Sequence, residues 1–441
     1  KSLYSAYLPL ISTPDRMHSQ SGHSERLKFC EFDAIVPADQ SLSRSHMAMK
    51  RRYKIIGGIA LLVALLAGGL FQYTTHSALV LAEALQFQRM LVTKQDDGTY
   101  RFFYVTNRVI ADQDAPLDDR FGNTRSDSIS FGLFDTSIEP TLGLGMLVNP
   151  TDWFQNEEIQ LNRVESLDED AMIAAVRRQV DASPQRSLLI NVNGFRERFP
   201  SALRKTAFLA HVLDMDTPLL VFDWPGNQGS SPRNYLRAQG LARESGLDLA
   251  RIIEKIVNDV QPDQLWILAN SMGGEVVVSA FSELYSNPQM ADSETEIDHV
   301  ILTAPDVSHD DFGAQFRDKI LALSSNVTVY VSSNDRALLM SRIINRGRRL
   351  GESTVDPSNP DQWDEAAAAF ELVTPGNDQV TLVDITPVNR TRNFHNFSLE
   401  TPEFFDDLYL RISNEDTPSS RLQYKVTTAS GAQYWVLTQG R

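Results

Sequence analysis

The sequence has little cysteine and a shortage of positive charge. Cys30 is the one cysteine in 441 residues, which excludes an intrachain disulfide and any cysteine-based metal site. Lysine and arginine number 41 against 57 aspartate and glutamate residues, giving a formal net charge of -16. Such a surface disfavours nucleic acid and anionic lipid headgroups as partners. No repeat or low-complexity tract interrupts the chain, and no residue pattern implies a metal or an organic cofactor.

Long apolar runs are also scarce, with one exception near the N-terminus. Ile55–Phe71 contains 17 residues without a charge, at the short end of what crosses ~30 Å of hydrocarbon. Basic residues precede it (Lys50, Arg51, Arg52 and Lys54). This flank predicts an uncleaved membrane anchor with a cytoplasmic N-terminus and the remaining chain exported, which is periplasmic in a bacterium. A signal peptide cleaved near Ala82–Ala84 and a buried soluble helix are the alternatives.

From residue 101 onward, short apolar strands alternate with amphipathic helices. This alternation predicts an α/β fold with a mainly parallel sheet covered by helices on both faces. A long polar loop is expected from Thr106 to about Ser130. The predicted strands are Arg101–Thr106, Ser187–Val192, Pro218–Asp223, Gln264–Ala269, His299–Thr303, Val327–Ser332 and Val380–Ile385, and the main helices are Ala202–Leu213, Leu247–Val260 and Gly274–Tyr285.

The most informative segment is Leu265–Gly274, with the sequence LWILANSMGG. An apolar strand runs into Ser271 and a helix follows at once, as in a nucleophile elbow that presents a serine hydroxyl above the sheet. The tight turn requires small residues two positions before and after the serine, which Ala269 and Gly273 supply. The backbone N–H of Met272, at the start of the helix, is the first predicted oxyanion donor.

The general base is chosen by position. In this fold the chain order is serine, acid, histidine, which leaves His299, His309 and His395. His299 lies at the start of a strand and is excluded for that reason. His309 is excluded because it comes before the later acid that should precede the histidine in the chain. His395 lies in a loop after the last strand of the βα series, so it is the predicted base.

Two carboxylates compete for the role of the triad acid. Asp335 follows the strand Val327–Ser332 and lies between Ser271 and His395 in the chain, and we favour it. Asp306, after the preceding strand, is the alternative. The acid holds the imidazole in the productive tautomer and stabilises the imidazolium.

A second oxyanion donor is expected after the strand Ser187–Val192. Asn193-Gly194-Phe195 occupies this place, and the backbone N–H of Phe195 is the predicted donor because Gly194 permits a close approach. An ordinary β-turn is the alternative interpretation.

With these landmarks the chain resembles a bacterial group of α/β hydrolases in the esterase/lipase superfamily, classed as a domain of unknown function. The resemblance covers about residues 103–410. It is carried by Tyr104–Arg108, Asn193–Phe195, Phe222–Pro225, Leu268–Gly273, Ala304–Val307 and Ser333–Leu338. It implies the α/β-hydrolase fold and the hydrolysis of carboxylic esters. Family members usually carry histidine at the positions of Asn193 and Asn270, a difference that bears on the acyl pocket.

The sequence therefore predicts a serine hydrolase that cleaves small-molecule or lipid-like esters, or thioesters, through Ser271, His395 and Asp335. An acyltransferase or amidase on the same triad is one alternative, and a non-catalytic membrane-anchored binding protein is another. The sequence leaves the oligomeric state open.

The predicted organisation has five parts. A disordered or mis-started tail covers 1–48, the anchor or signal segment 49–77, and a helical linker 78–100. The α/β-hydrolase domain covers 101–415, and a C-terminal β extension 416–441.

Overall fold

We describe a computed structural model of the chain. It describes residues 61–63, 65, 90–138, 159–288, 297–352, 379–391, 394–413, 423–427 and 433–438. The chain divides into two compact units, residues 1–72 and 73–441, and all elements named below belong to the second.

One eleven-stranded sheet forms the centre of the second unit. Its order is β10-β11-β9-β8-β7-β6-β4-β5-β1-β2-β3. Pairing is parallel from β1 through β5, β4, β6, β7, β8 and β9 to β11, and antiparallel for β1–β2, β2–β3 and β10–β11. The strands are β1 Tyr100–Ile110, β2 Phe121–Ile138, β3 Ile159–Leu167, β4 Ser187–Val192, β5 Leu219–Asp223, β6 Gln264–Asn270, β7 Ile297–Thr303, β8 Ser324–Val331, β9 Val380–Asp384, β10 Gln423–Thr427 and β11 Gln433–Leu437.

Helices cover both faces of this sheet. They are α1 Leu117–Arg120, α2 Glu169–Ala182, α3 Phe199–Leu213, α4 Pro232–Lys255, α5 Gly273–Ser286, α6 His309–Asp311, α7 Arg317–Leu323, α8 Arg336–Asn345, α9 Phe397–Glu400 and α10 Pro402–Ile412. One apolar core joins α2, α4 and α5 to the sheet, and a second core joins α3, α9 and α10 to it. The central strands are therefore buried on both sides, which is why β4 reads as a continuous buried run.

The predicted α/β class and mainly parallel sheet are confirmed, with two local errors. The segment expected to be a polar loop contains the end of β1 and most of β2, which pair antiparallel. Much of the first half of β2 is exposed and rich in Ser, Thr and Asp, so no apolar alternation marked it as a strand. Helix α4 begins 15 residues before the predicted start at Leu247, where Ser231 accepts a hydrogen bond from Asn234 N and Pro232 opens the first turn.

The N-terminal predictions lie mostly outside the described residues. The tail over residues 1–48 is outside them, and so is the apolar segment Ile55–Phe71 apart from residues 61–63 and 65, which are helical. Of the predicted helical linker, residues 90–99 form turns and a β-bridge rather than a helix. No helix within the described ranges is long and apolar enough to cross a membrane.

Candidate active site

The residues singled out from the sequence all follow parallel strands at one edge of the sheet. Phe195 follows β4, Ser271 follows β6, Asp306 follows β7, Asp335 follows β8 and His395 follows β9. Ligands of open α/β sheets bind outside the carboxyl ends of the strands. The strand order thus places these residues at the edge where a binding site is expected.

Ser271 occupies a strained turn between β6 and α5. Its φ is 53°, in the left-handed region that a residue with a side chain seldom adopts. Its N–H donates to the Thr303 carbonyl at 2.9 Å, and its own carbonyl accepts from Gly274 and Asp306 N–H, each at 3.0 Å. These bonds from β7 and α5 hold the turn in its strained conformation.

Two glycines allow the turn and the loop after β4 to approach each other. A Cβ at Gly273 would lie 2.6 Å from the Val192 carbonyl oxygen, so the start of α5 packs directly on the end of β4. A Cβ at Gly194 would lie 3.0 Å from both the main-chain carbonyl oxygen of Asn270 and the Cβ of Ser271. The loop that carries Phe195 is therefore in close contact with the serine turn.

His395 and Asp335 form a hydrogen-bonded pair. His395 Nδ1 lies 2.7 Å from Asp335 Oδ2, with side-chain exposures of 13% and 0%. The other carboxylate oxygen of Asp335 accepts from the N–H groups of Ala337 and Leu338 at 2.9 and 3.0 Å, capping α8. One carboxylate therefore begins a helix and orients an imidazole, and the helix cap fixes its rotamer.

The environment of His395 shifts the pKa of its imidazole in two directions. Burial, the largest influence, lowers its pKa, whereas the charge and the hydrogen bond of Asp335 raise it. The pKa of His395 ends above its ordinary value of 6.5. The site thus stabilises the imidazolium form, as a base that accepts a proton requires.

Asp306 has different partners. It accepts hydrogen bonds from Tyr235 Oη and Ser341 Oγ, both at 2.5 Å, and from Arg349 Nε at 2.6 Å. Burial, followed by the charge of Asp306, raises the pKa of Tyr235, which keeps that phenol a donor. Asp306 therefore ties α4 and α8 to the loop after β7, whereas Asp335 is the carboxylate that is hydrogen-bonded to His395.

The two predicted oxyanion donors belong to the two segments that are in contact: Phe195 lies in the loop after β4, and Met272 follows Ser271 in the serine turn. The N–H groups of Phe195 and Met272 have no acceptor among the described residues. The loop after β4 is anchored by a hydrogen bond from Trp224 Nε1 to the Asn193 carbonyl at 2.7 Å, and by one from Arg196 N to the Gly226 carbonyl at 3.0 Å.

Sequence reasoning missed Arg108, which organises the same loop. Its guanidinium is buried, pairs with Asp223 at 2.6 Å, and donates to the carbonyls of Glu197 at 2.9 Å and Trp224 at 2.6 Å. An arginine two residues after the predicted strand Arg101–Thr106 was the available signal. Its bonds join the loop after β4 to the loop after β5.

A second missed residue is Asn389, which supports the histidine loop. Its side-chain amide donates to the Phe394 carbonyl at 2.7 Å and to Ser332 Oγ at 2.8 Å. Asn270, at a position where the family usually has histidine, donates to Ser398 Oγ at 3.0 Å. The loop of His395 is thereby tied to the ends of β6 and β8.

Ser271 and His395 line one cavity of about 830 Å³, and Phe195 and Tyr235 also line it. This volume suits a small organic ligand.

His299, which the sequence argument excluded as the general base, lies elsewhere. It is buried against Thr328 Oγ1 at 2.7 Å, and burial lowers its pKa to about 3. No group of three or more potential metal ligands occurs in the part of the chain that the structure describes.

A mainly parallel sheet with helices on both faces, and a serine on a strained turn between strand and helix, defines the α/β-hydrolase class. The chain belongs to the family of alpha/beta hydrolases of unknown function DUF900, whose profile matches residues 168–408, more than half of the chain. The family resemblance that the sequence predicts is thus confirmed. The chain matches none of the proteins with curated functions.

Solved structures of other proteins align with the chain at low identity. Esterase B from Lactobacillus rhamnosis is 10% identical, with 81% of this chain and 99% of that one covered and a TM-score of 0.30. Phospholipase PlaB from Legionella pneumophila is 12% identical, with 57% and 69% covered and a TM-score of 0.26. The ydeN gene product from B. subtilis is 12% identical, with 51% and 99% covered and a TM-score of 0.26. Similarity at these values says nothing about substrate.

Proposed function

We propose that the chain is a serine hydrolase that cleaves carboxylic esters, with Ser271 as nucleophile, His395 as general base and Asp335 as the acid that orients it. The observation that carries the proposal is the 2.7 Å hydrogen bond between His395 and Asp335, made by a histidine that shares a cavity with Ser271. The strained φ of Ser271 supports it, because such a turn exposes the hydroxyl above the sheet.

In the proposed reaction, His395 takes the proton of the Ser271 hydroxyl as the oxygen attacks the ester carbonyl. Since Nδ1 of His395 faces Asp335, Nε2 is the atom that receives this proton. The resulting oxyanion accepts hydrogen bonds from the N–H groups of Phe195 and Met272. Each such donor is worth about 10²–10³ in turnover.

The bond between the carbonyl carbon and the alcohol oxygen then breaks. The alcohol leaves with the proton from His395, and the acyl group stays on Ser271. A water molecule, deprotonated by His395, attacks this acyl-enzyme and releases the carboxylic acid. One ester and one water give one acid and one alcohol, with no redox change.

The experiment is labelling of the intact protein with a fluorophosphonate probe, which phosphonylates activated serines. We expect the wild-type chain to be labelled and Ser271→Ala to be unlabelled at equal stability. Ser279→Ala, which removes another serine of this region, is the control and keeps its label. Folded wild-type protein that stays unlabelled would overturn the proposal.

We further propose that Ile55–Phe71 anchors the hydrolase to a membrane, with the catalytic unit extracytoplasmic. The uncharged run and its basic flank support this, and Leu61, Leu62 and Leu65 in it are helical with exposed side chains. Membrane fractionation checks the anchor: full-length protein should sediment with membranes, and a chain that begins at residue 78 should not. External protease should digest the catalytic unit in spheroplasts, and its protection there would contradict the orientation.

A further inference from the structure

The cavity is lined by an excess of cations. Arg196, Arg198, Arg204 and Lys205 line it from the loop after β4 and from α3, and the acids near them in the lining are Asp118 and Glu197. Asp306, which also lines the cavity, is already paired with Arg349. The charge at this wall is therefore opposite in sign to the net charge of -16 of the whole chain.

The two nearby acids neutralise the cations only in part. Lys205 pairs with Glu197. Arg198 lies 3.8 Å from Asp118, with both side chains more than half exposed, a geometry that contributes little. Arg196 has no acidic partner among the described residues. Positive charge remains at this wall for a ligand.

The cationic wall extends to the proposed reacting centre. Lys205 is within electrostatic reach of His395, and Arg196 directly follows Phe195, one of the two proposed oxyanion donors. One small molecule can therefore place an anionic group at this wall and an ester at Ser271, because both line the same cavity.

A different set of elements supplies an apolar lining. Leu338, Met340 and Ile344 line the cavity from α8, which contributes no charged side chain to it. Met340 is 56% exposed. The rings of Phe195 and Tyr235 meet edge to face, with centroids 5.5 Å apart, and continue this surface. Such a wall suits an acyl chain, because apolar burial is the main source of its binding free energy.

We propose that the substrate is an amphiphilic ester that carries a negative charge. Its carboxylate or phosphate binds at the wall of Arg196, Arg198 and Lys205, and its acyl chain lies along Leu338, Met340 and Ile344. This inference rests on the proposed function and specifies its substrate class.

The test compares octanoyl esters that share an acyl group and differ in charge: 1-octanoylglycerol, 1-octanoylglycerol 3-phosphate, octanoylglycolate and octanoylcholine. They are supplied to the full chain as monomers, and octanoate release is measured. We expect kcat/KM for the anionic esters to exceed that for the neutral one by about tenfold at low salt, and octanoylcholine to be the slowest. In 1 M NaCl, where the screening length is about 3 Å, the ratio should fall toward one. The phosphate and glycolate esters show which anion the wall prefers.

Arg198→Glu tests the location of the effect, with Arg237→Glu as its matched control. Arg237 is exposed on α4 and does not line the cavity. Both variants change the net charge equally. Arg198→Glu should lower the ratio of kcat/KM for anionic over neutral ester at least about fivefold, and Arg237→Glu should preserve it. Equal loss in both variants, or equal rates on all esters, would overturn the inference while leaving the proposed function intact.

A binding measurement covers the case in which no ester is hydrolysed. Calorimetric titration of Ser271→Ala with 1-octanoylglycerol 3-phosphate and 1-octanoylglycerol should give a Kd about tenfold lower for the phosphate. Equal affinities would exclude the anion site regardless of catalysis. A clear difference in affinity without hydrolysis or labelling would retain the anion site and remove the esterase.

Discussion

Asp306 and Asp335 offer a comparison of two regions at the same edge of the sheet. Each follows one of two neighbouring parallel strands, β7 and β8, and each is almost fully buried. Asp335 is hydrogen-bonded to His395, whereas Asp306 is paired with Arg349, which is itself 3% exposed. A fixed cation beside Asp306 and a titratable imidazole beside Asp335 give the two carboxylates different uses.

The difference shows that a position at a strand end does not by itself assign a chemical role. Asp384, at the end of β9, is a third case: its hydrogen bonds come from Thr386, and no cation of the described residues is paired with it. The neighbouring side chain decides whether such a carboxylate holds an imidazole, anchors a loop or is only desolvated. Four predictions test this conclusion.

The largest effect is expected from Asp335→Asn. Asparagine keeps an oxygen for the N–H groups of Ala337 and Leu338 but presents an amide to His395, which favours the wrong imidazole tautomer. Ester turnover should fall by about 10³–10⁴ with a small change in stability. Steady-state kinetics measure it, and Asp306→Asn is the matched control, expected to keep kcat within about tenfold. The opposite ranking of the two variants would exchange their roles.

The next effect is expected in the stability of Asp306→Asn. The substitution leaves Arg349 buried without its counter-charge, although the amide still bonds Tyr235 and Ser341. The free energy of unfolding should fall by about 3 kcal/mol, measured by urea titration. In a double-mutant cycle with Arg349→Met, the combined loss should be smaller than the sum of the single losses. Additive losses would show that the ion pair is not coupled.

A smaller effect is expected for Asp384→Asn, and it should depend on pH. Burial raises the pKa of Asp384 to about 6 from an ordinary 3.8, so folding disfavours its ionised form. Stability is therefore greatest below the unfolded pKa and decreases as pH rises through about 6. At pH 7.5 the substitution should raise the free energy of unfolding by about 2 kcal/mol, and at pH 4 by almost nothing. An equal gain at both pH values would exclude titration as the cause.

The smallest effect concerns the pH profile of ester hydrolysis. His395 must be neutral to act as a base, so kcat/KM should rise with pH through a pKa above 6.5. In Asp335→Asn, the midpoint of the residual activity should move to lower pH because the carboxylate charge is lost. Rates between pH 5 and 9 measure both midpoints. The contribution of the His395–Asp335 pair to folding stability has the opposite pH trend. It is fully present below the pKa of the histidine in the unfolded chain and is lost as pH rises through the higher pKa of His395 in the folded protein.

Much of this edge of the sheet could be predicted from the sequence. The strand and helix around Ser271 have apolar patterns strong enough to locate the turn, and chain order together with a position in the loop after the last strand of the βα series selected His395. Arg108 and Asn389 were missed because most of their partners, among them Asp223, Trp224 and Ser332, are distant in sequence, and no local pattern marks such contacts. Helix α4 was predicted too short because its first half alternates buried and exposed polar residues, such as Gln239 and Arg237.

The sequence by itself determined the parallel α/β architecture and the strand-to-helix turn at Ser271, since both depend on local spacing of apolar and small residues. Only the tertiary structure decided which carboxylate meets His395 and which meets Arg349. It also decided that cations from α3 and apolar side chains from α8 line one cavity. These outcomes depend on contacts between segments far apart in the chain, and hydrophobic periodicity does not encode such contacts.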